Sequence, residues 1–280
     1  MLIIRFTMKK VYLLLTGIIV MMMMASCVTA TKVPITGRKQ RLSVTDEQML
    51  SLSASQYKEY LGGVKKSTNA TNTAMVKRVG QNLANAVITY LTNNGYANEV
   101  KNYAWEFNLV QSNSVNAFCM PGGKIVVFEG MLPVTQDEAS LAIVLGHEIA
   151  HAVAKHSAEQ MSKQKNQSIL ASLGTSILAA KAGKEAAELA SSMASTGLTF
   201  LNAHYSRDNE SEADHMGLIF AAMAGYDPNT ALTFWQRMSK ASGGSSASLL
   251  QTYLSSHPSD TKRMADIQRW LPEAMKYYKK

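Results

Sequence analysis

Two histidines and one glutamate in the middle of the sequence have the spacing of a catalytic zinc site, H-E-x-x-H at residues 147–151. They lie in an apolar run from Ala139 to Val153 that predicts a single helix. At about 3.6 residues per turn, His147 and His151 share one face, where two imidazoles can bind one Zn²⁺. Glu148 lies about 100° round the helix, beside the metal, where a general base for a water molecule belongs. The competing interpretation is a helix whose histidines form ordinary hydrogen bonds.

A third metal ligand has to come from elsewhere, because catalytic zinc sites have three protein ligands and one open position. The segment S-R-D-N-E-S-E-A-D, residues 206–214, opens a strongly helical stretch. Glu210 and Asp214 share one face of that helix. This geometry predicts that Glu210 binds the metal and that Asp214 accepts the outer N–H of a ligand histidine. The alternative is a solvated acidic helix start that the helix dipole favours.

Three other histidines lie near these two helices. His156 is five residues past His151, so it is predicted to face away from the metal and to lie at the surface. His204 and His215 flank the start of the Glu210 helix and are predicted to have simple surface or packing roles.

Two short strands around a Pro-Gly-Gly turn are predicted for residues 116–128, directly before the metal helix. Proline and glycine suit a sheet edge, where one side of the backbone is unpaired. An extended peptide can add to such an edge as one more strand, with its scissile bond over the metal. An ordinary hairpin inside the core sheet fits the pattern equally well. Cys119 is predicted to be a small buried hydrophobe rather than a reactive thiol.

H-E-x-x-H is followed about sixty residues later by S-R-x-x-E-x-x-A-D. This order resembles the zinc endopeptidase family that includes the HtpX heat-shock proteases, the mitochondrial Oma protease and the CAAX prenyl endopeptidases, and most closely its soluble periplasmic lipoproteins. The matching patches are spread over nearly all of the mature chain: PITGR (34–38), NAFCMPGGK (116–124), LGHEIAHAVAKH (145–156), SRDNESEAD (206–214) and SHPS (256–259). The two zinc patches in this order are more diagnostic than either patch alone.

The resemblance implies a set of roles at the metal. One Zn²⁺ per chain is expected, bound by His147, His151 and Glu210, with Glu148 as general base and Asp214 orienting a ligand. His257 has three competing interpretations: a structural loop histidine, a hydrogen-bond donor to the oxyanion of the tetrahedral intermediate, or a fourth zinc ligand. The last role would displace water and switch the enzyme off, as is suggested for similar periplasmic members.

The expected fold is α+β and mainly α, a zincin-like peptidase domain with a small sheet whose edge strand flanks the H-E-x-x-H helix. The resemblance implies that Asn116, Ala117 and Phe118 form the substrate-binding edge. The expected function is cleavage of unfolded or misassembled proteins in the bacterial cell envelope, as protein quality control. Partners would then be unfolded or extended polypeptides and components of outer-membrane protein assembly. The rivals are a zinc-stabilised chaperone or adaptor lipoprotein that does not cleave and a hydrolase of cell-wall peptides.

Composition limits the other possibilities. The chain has 280 residues, of which 46% are hydrophobic and 17% charged, enough for one large domain or two small ones. The formal net charge of +8 is scattered without aromatic interleaving, so nucleic acid is not expected as a partner. Two cysteines give no disulfide framework. Amphipathic helices are predicted from Thr45 to Leu61 and from Asn72 to Leu91, followed by a strand over residues 105–110.

The N-terminus predicts export. Lys9 and Lys10 precede an apolar run that ends with small residues before Cys27, as in a bacterial lipoprotein signal that is cut before a lipidated cysteine. An uncleaved anchor over residues 11–30 and ordinary cleavage after Ala30 are the alternatives. The start is Met1 or Met8. No acidic residue follows Cys27, which by resemblance to well-studied lipoproteins implies an outer-membrane lipoprotein that faces the periplasm.

The expected division of the chain is a signal peptide over residues 1–26, a tether over 27–44 and a zinc metallopeptidase domain over 45–280. Residues 168–200 are rich in alanine, serine and glycine but are interrupted by charges. A packed helical hairpin is therefore expected there, rather than the membrane helices of the HtpX and prenyl-protease branches.

Overall fold

The computed structural model describes residues 29–179, 200, 204–242, 247–257 and 261–279. The strands in these ranges are β1 (Thr29–Lys32), β2 (Lys39–Leu42), β3 (Glu106–Val110), β4 (Ala117–Met120) and β5 (Lys124–Phe128). The helices are α1 (Asp46–Gly63), α2 (Ala70–Asn93), α3 (Ala97–Val100), α4 (Leu132–Thr135), α5 (Glu138–Val153), α6 (His156–Ala179), α7 (Arg207–Met223), α8 (Thr230–Ser242), α9 (Ala247–Ser256) and α10 (Thr261–Ala274), with a 3₁₀ turn at Glu129–Met131. The α+β, mainly helical fold class is thereby confirmed.

The two predicted N-terminal helices are present and begin at polar caps. The Thr45 hydroxyl accepts a hydrogen bond from the Gln48 amide, and the Gln48 side chain accepts one from the Thr45 amide, which closes a capping box before α1. The Asn69 side chain caps α2 in the same way, by accepting from the Asn72 amide. Each helix extends two residues beyond its predicted end, α1 to Gly63 and α2 to Asn93.

The main sheet has three strands in the order β3-β5-β4. Strand β5 pairs in parallel with β3 and antiparallel with β4, so β4 is an edge strand within the part of the chain that the structure describes. Its side chains alternate between two apolar clusters: Ala117 and Cys119 pack with α2, α5 and α7, whereas Phe118 and Met120 pack with α1. Gly122 and Gly123 form the turn with positive φ angles, which glycine adopts without strain.

The metal helix α5 is buried along almost its whole length and crosses α7 closely. Gly146 on α5 faces Gly217 on α7 at the crossing. A Cβ on Gly217 would lie 2.7 Å from the His147 amide nitrogen, and one on Gly146 would lie 2.8 Å from the Gly217 carbonyl oxygen. Two residues without side chains thus let the backbones approach, which brings the start of α7 beside the histidines of α5.

The predicted tether contains ordered structure. Strands β1 and β2 form an antiparallel hairpin over Thr29–Leu42, with Val33 fully buried in its turn. The Gln40 side chain donates a 2.9 Å hydrogen bond to the Ala154 carbonyl at the end of α5. Residues 29–42 therefore pack against the helical core, because the predicted tether carries buried side chains among its polar ones.

Several expectations fall on residues that the structure leaves undescribed. The signal peptide and Cys27 lie there, as does most of the predicted helical hairpin over 168–200, of which residues 168–179 continue α6. Among the described residues, none of the helices has both the length and the apolar character that crossing a bilayer requires.

Candidate metal centre

Four buried side chains converge where α5, α7 and the segment after α9 meet. One potential ligand atom from each of His147, His151, Glu210 and His257 lies within 4.8 Å of all the others. The Nε2 atoms of His147 and His151 are 3.0 Å apart. The Glu210 carboxylate faces both histidines, with Oε2 3.3 Å from His147 Nε2 and Oε1 3.2 Å from His151 Nε2. The expected set of three is therefore together, and His257 joins it.

This group fits a zinc ion. Imidazole nitrogens and a carboxylate oxygen are ligands that Zn²⁺ prefers, and the site offers three of the former and one of the latter. Glu210 Oε1 is buried and, apart from its 3.2 Å contact with His151 Nε2, meets no hydrogen-bond donor among the described residues, which is costly for a carboxylate oxygen unless a cation satisfies it. Burial opposes ionisation of Glu210, but the three facing histidines hold the pKa of its carboxyl well below the ordinary value. The Glu210 carboxyl is therefore ionised and can bind a cation.

Glu148 lies beside the four ligand candidates. Its Oε1 accepts a 3.4 Å hydrogen bond from the Tyr253 hydroxyl and lies 3.5 Å from His257 Nε2. Burial raises the pKa of the Glu148 carboxyl, against the lowering influence of His257 and His147. A carboxylate with a raised pKa is a stronger proton acceptor than an ordinary glutamate, which suits general-base chemistry.

The outer nitrogen of His147 meets Asp214, as the spacing predicted. His147 Nδ1 and Asp214 Oδ1 are 2.8 Å apart, and Arg263 donates to the same oxygen at 2.6 Å. Arg263 is buried and its guanidinium lies 3.5 Å from the centroid of the Trp235 ring. Burial raises the pKa of Asp214, but Arg263 and His147 outweigh it and lower that pKa. Arg263 was not found from the sequence, because an arginine in an amphipathic C-terminal helix carries no local mark of burial.

The surface prediction for His156 is wrong. Its side chain is buried; Nδ1 lies 2.8 Å from His151 Nδ1, and Nε2 lies 2.9 Å from Glu212 Oε2. The prediction assumed that one helix continues past His151. Instead α5 ends at Val153 and Lys155 has a φ of 55°, a left-handed conformation that breaks the helix and turns His156 back. The ion pairs of the Lys155 ammonium with Asp46 and Glu99 stabilise the break.

Further contacts fix His151 and His257. The Tyr205 ring stacks on His151 at a centroid distance of 4.2 Å, and the Tyr205 hydroxyl lies 2.7 Å from the Ser157 hydroxyl. His257 follows α9, and its Nδ1 lies 2.8 Å from Glu210 Oε2. This position lies inside the ligand group.

The remaining side chains of interest are away from the metal group. His204 is exposed, and His215 stacks on Trp270 and lies 2.7 Å from a Glu273 oxygen, which agrees with surface and packing roles. Cys119 is buried and is not in a disulfide, and burial raises the pKa of its thiol well above the ordinary value. The prediction of a small buried hydrophobe is confirmed.

The predicted substrate edge is the side of β4 that pairs with no other strand among the described residues. Phe128 donates a backbone hydrogen bond to the Asn116 carbonyl, so the alternation of an antiparallel ladder turns the backbone groups of Ala117 and Cys119 away from β5. The Asn116 side-chain oxygen accepts from the Ala117 amide at 2.9 Å and covers that donor. The amide of Cys119 and the carbonyls of Ala117 and Cys119 remain as the polar groups of the edge.

Comparison with known proteins agrees with this geometry. The model of peptidase family M48 matches residues 70–271. The chain belongs to peptidase family M48. It is 41% identical to the mitochondrial metalloendopeptidase OMA1 of Schizosaccharomyces pombe over 170 residues, which cover 61% of this chain and 48% of that protein. It is 30% identical to human mitochondrial OMA1 over 87% of this chain and 46% of that protein. The β-barrel assembly-enhancing protease of Escherichia coli is 31% identical over 62% of this chain and 35% of its own length.

These findings decide several predictions. Membership of M48 confirms the predictions of a metalloendopeptidase and of zinc as its cofactor. The predicted location, an outer-membrane lipoprotein of a bacterial envelope, is wrong, because the S. pombe and human relatives are mitochondrial proteins. That prediction depended on small residues before Cys27, which do not outweigh similarity over the folded part. The chain spans about half the length of these OMA1 relatives, or less.

Proposed function

We propose that this M48 zinc endopeptidase cleaves unfolded or misassembled polypeptides and so serves protein quality control. The observation that carries the proposal is the convergence of His147, His151, Glu210 and His257 where α5 and α7 meet. Glu148 lies beside this group, and α5 packs against the edge strand β4. A ligand group next to a free sheet edge suits extended chains. The sequence predicts that the domain that does this chemistry extends from residue 45 to 280, and the packing of Val33 and Gln40 against the core adds the hairpin of residues 29–42 to it.

In the proposed mechanism, His147, His151 and Glu210 hold the zinc ion, and Asp214 orients His147. When bound, zinc would act as a Lewis acid that polarises a peptide carbonyl and makes a water molecule more acidic. Glu148 takes a proton from the water as its oxygen bonds to the carbonyl carbon. Glu148 then delivers that proton to the departing amine nitrogen as the carbon–nitrogen bond breaks.

Substrate would bind along Asn116, Ala117 and Phe118 as one more strand. The free carbonyls and amide of β4 supply hydrogen bonds that any extended backbone can complete. A folded domain has its own strands paired and cannot add to the edge without local unfolding. Selection of unfolded segments therefore needs no recognition of a particular sequence.

The quality-control role is supported by similarity. The E. coli relative is named as a β-barrel assembly-enhancing protease, and that name connects a protease similar to this chain with protein assembly. The sequence similarity covers 35% of the length of that relative. Lipidation of Cys27 and contact with a membrane through that lipid stay predictions.

His257 is the basis of a second candidate function. Its Nδ1 lies 3.1 Å from His147 Nε2 and 2.8 Å from Glu210 Oε2, so His257 can serve as a fourth protein ligand of the zinc ion. Four protein ligands make a closed zinc site, which would favour a resting enzyme or a chaperone that binds without cleaving. Glu148, which a purely structural zinc site does not need, favours the enzyme.

The test compares the wild-type chain with Glu148→Gln. We expect both to contain one zinc per chain, and the wild type alone to cleave unfolded casein, with a loss in the variant of at least about 10²-fold. A folded protein of similar size and a cell-wall peptide serve as control substrates. Equal cleavage by the variant would remove Glu148 from the mechanism, and zinc binding without any cleavage by wild type would favour the chaperone.

A further inference from the structure

We propose that the turn of the N-terminal hairpin positions the zinc ligand His151, through a relay of Arg38, Glu212 and His156. The proposal depends on the proposed role of His151 as a ligand and goes beyond it, because it assigns a task to a segment outside the M48 match of residues 70–271. All three relay members act through His151 and are positioning residues.

The first step of the relay is the contact between two imidazoles. His151 Nε2 faces Glu210 and His147, so its lone pair is directed at the metal point and its hydrogen is on Nδ1. That N–H donates to His156 Nδ1 at 2.8 Å, which must then be the unprotonated nitrogen of His156. The hydrogen of His156 is therefore on Nε2 and donates to Glu212 Oε2 at 2.9 Å. With both imidazoles neutral, this set of tautomers gives each N–H of the relay an acceptor.

The second step fixes Glu212. Its carboxylate is buried and accepts from the Thr36 hydroxyl at 2.5 Å and from Arg38 Nε at 2.9 Å. Arg38 also donates to Glu159 on α6 at 2.9 Å. Two residues of the hairpin turn thus hold a carboxylate on α7 that lies 174 positions from Arg38 in sequence. Truncation of either would leave a buried carboxylate oxygen with fewer donors.

The third step is the rigidity of the turn that carries Thr36 and Arg38. The Val33 amide donates to the Arg38 carbonyl at 2.8 Å, and the Gly37 amide donates to the Val33 carbonyl at 2.9 Å. Gly37 has a φ of 68°, which favours glycine. With Val33 buried and Gln40 bonded to the end of α5, the turn has a fixed position relative to the metal helix.

The consequence is a defined contribution to metal binding. Partners on the outer nitrogen of a ligand histidine fix its tautomer and ring orientation, and their loss typically lowers metal affinity by about 10–100-fold. His156 is the direct partner, so its removal should have an effect in this range. Arg38 is two contacts further out, so its removal should have a smaller effect of the same sign.

The test measures zinc affinity by competition with a chelator, in the Glu148→Gln background so that cleavage does not enter. His156→Phe removes the acceptor at similar volume, and His156→Gln retains both an acceptor and a donor. Arg38→Gln breaks the hairpin contact, and Lys39→Gln is a matched control, because Lys39 is an exposed cation on the same hairpin. The absorption spectrum of the cobalt-substituted protein reports the ligand geometry independently.

We expect about 10–100-fold weaker zinc binding and an altered cobalt spectrum in His156→Phe, partial rescue in His156→Gln, a smaller loss in Arg38→Gln and no change in Lys39→Gln. Wild-type affinity and spectrum in a folded His156→Phe would overturn the proposal. If that variant does not fold, wild-type behaviour of both Arg38→Gln and His156→Gln overturns it. Absence of zinc from the parent chain would instead refute the proposed function, and this inference with it.

Discussion

The two histidines of α5 lie one turn apart and have very different surroundings. His147 is backed directly by a carboxylate, Asp214, which a buried arginine neutralises. His151 is backed by a neutral imidazole, His156, and the carboxylate of Glu212 comes only after it. The first support places a carboxylate directly against its ligand, and the second places a carboxylate one ring further away.

The two supports shift the pKa values of the two histidines in opposite directions. For His147, burial is outweighed by Asp214 and Glu210, which raise its pKa to about 9. For His151, burial dominates and lowers the pKa well below the ordinary value, in spite of Glu210. One ligand nitrogen is therefore protonated at neutral pH until a metal displaces the proton, and the other is ready with a free lone pair.

The residues that support His147 and those that support His151 also come from different parts of the chain. Asp214 and Arg263 both lie within the span of the M48 match, whereas the support of His151 ends on a hairpin that precedes it. The His147 support is compact and includes a buried ion pair. The His151 support is longer, and its outermost member, Arg38, is a third exposed. We expect failures of the first to affect the whole fold and failures of the second to affect mainly the metal.

Asp214→Ala should have the largest effect on stability. It removes the carboxylate that lies 2.6 Å from Nη2 of buried Arg263, and breaking a buried ion pair typically costs about 3–5 kcal/mol. The measurement is the free energy of unfolding in urea, with metal removed from all samples. His156→Phe, which leaves no charge unpaired at its own position, should lose less.

The control for this prediction is the double variant Asp214→Ala/Arg263→Met. Removal of the arginine together with its partner should recover part of the lost free energy of unfolding, because no uncompensated charge remains. A loss under about 1 kcal/mol in Asp214→Ala, or no recovery in the double variant, would contradict this account of the difference between the two supports.

Gly217→Ala tests the helix crossing on which both supports depend. Its new Cβ would meet the His147 amide nitrogen at 2.7 Å, so α5 and α7 must separate. Overpacking of this kind typically costs about 1–3 kcal/mol, and we expect weaker zinc binding as well, because Glu210 moves with α7. Thermal unfolding and chelator competition measure the two effects.

Gly62→Ala is the matched control. Gly62 lies in α1, and a Cβ there would meet no atom within 4 Å. The substitution should stabilise the chain by about 0.4–1 kcal/mol, since alanine has fewer unfolded conformations to lose. If Gly217→Ala is as well tolerated as Gly62→Ala, close approach at the crossing does not position the ligands.

Much of the His147 side could be predicted from the sequence. H-E-x-x-H and the pair Glu210 and Asp214 are each spaced by four residues, and helical periodicity places such residues on one face without knowledge of the fold. The Pro-Gly-Gly turn likewise predicted the β4–β5 hairpin, because glycine there permits the positive φ angles of the turn. In both cases the information is local.

The His151 side could not be predicted in this way. The break at Lys155 is a left-handed residue without glycine, and it is held by ion pairs with Asp46 and Glu99, which are distant in sequence. The contact between Arg38 and Glu212 joins segments 174 positions apart. Periodicity carries no information on contacts of this range, so His156 was predicted at the surface.

The pH dependence of stability tests whether the charge of Glu212 contributes to the support of His151. Burial opposes its ionisation, but hydrogen bonds from His156, Arg38 and Thr36 outweigh burial and lower its pKa to about 2. A carboxyl with a depressed pKa in the folded state stabilises the fold above its unfolded pKa, near 4.5, and loses that contribution as the pH falls toward 2. Glu212→Gln should remove this dependence.

We expect Glu212→Gln to lower the free energy of unfolding by about 1 kcal/mol at pH 7. Glutamine keeps the shape of glutamate and still accepts hydrogen bonds, but it lacks the negative charge that strengthens them. The difference from wild type should shrink between pH 4.5 and pH 2 and be smallest at the acid end, because wild-type Glu212 becomes protonated there. The measurement is thermal unfolding of the metal-free proteins over this range, with exposed Glu59→Gln on α1 as control. If the difference in stability between wild type and Glu212→Gln stayed constant from pH 4.5 to pH 2, the negative charge of Glu212 would not contribute to stability. Glu212 would then hold the hairpin by its shape and hydrogen bonds alone.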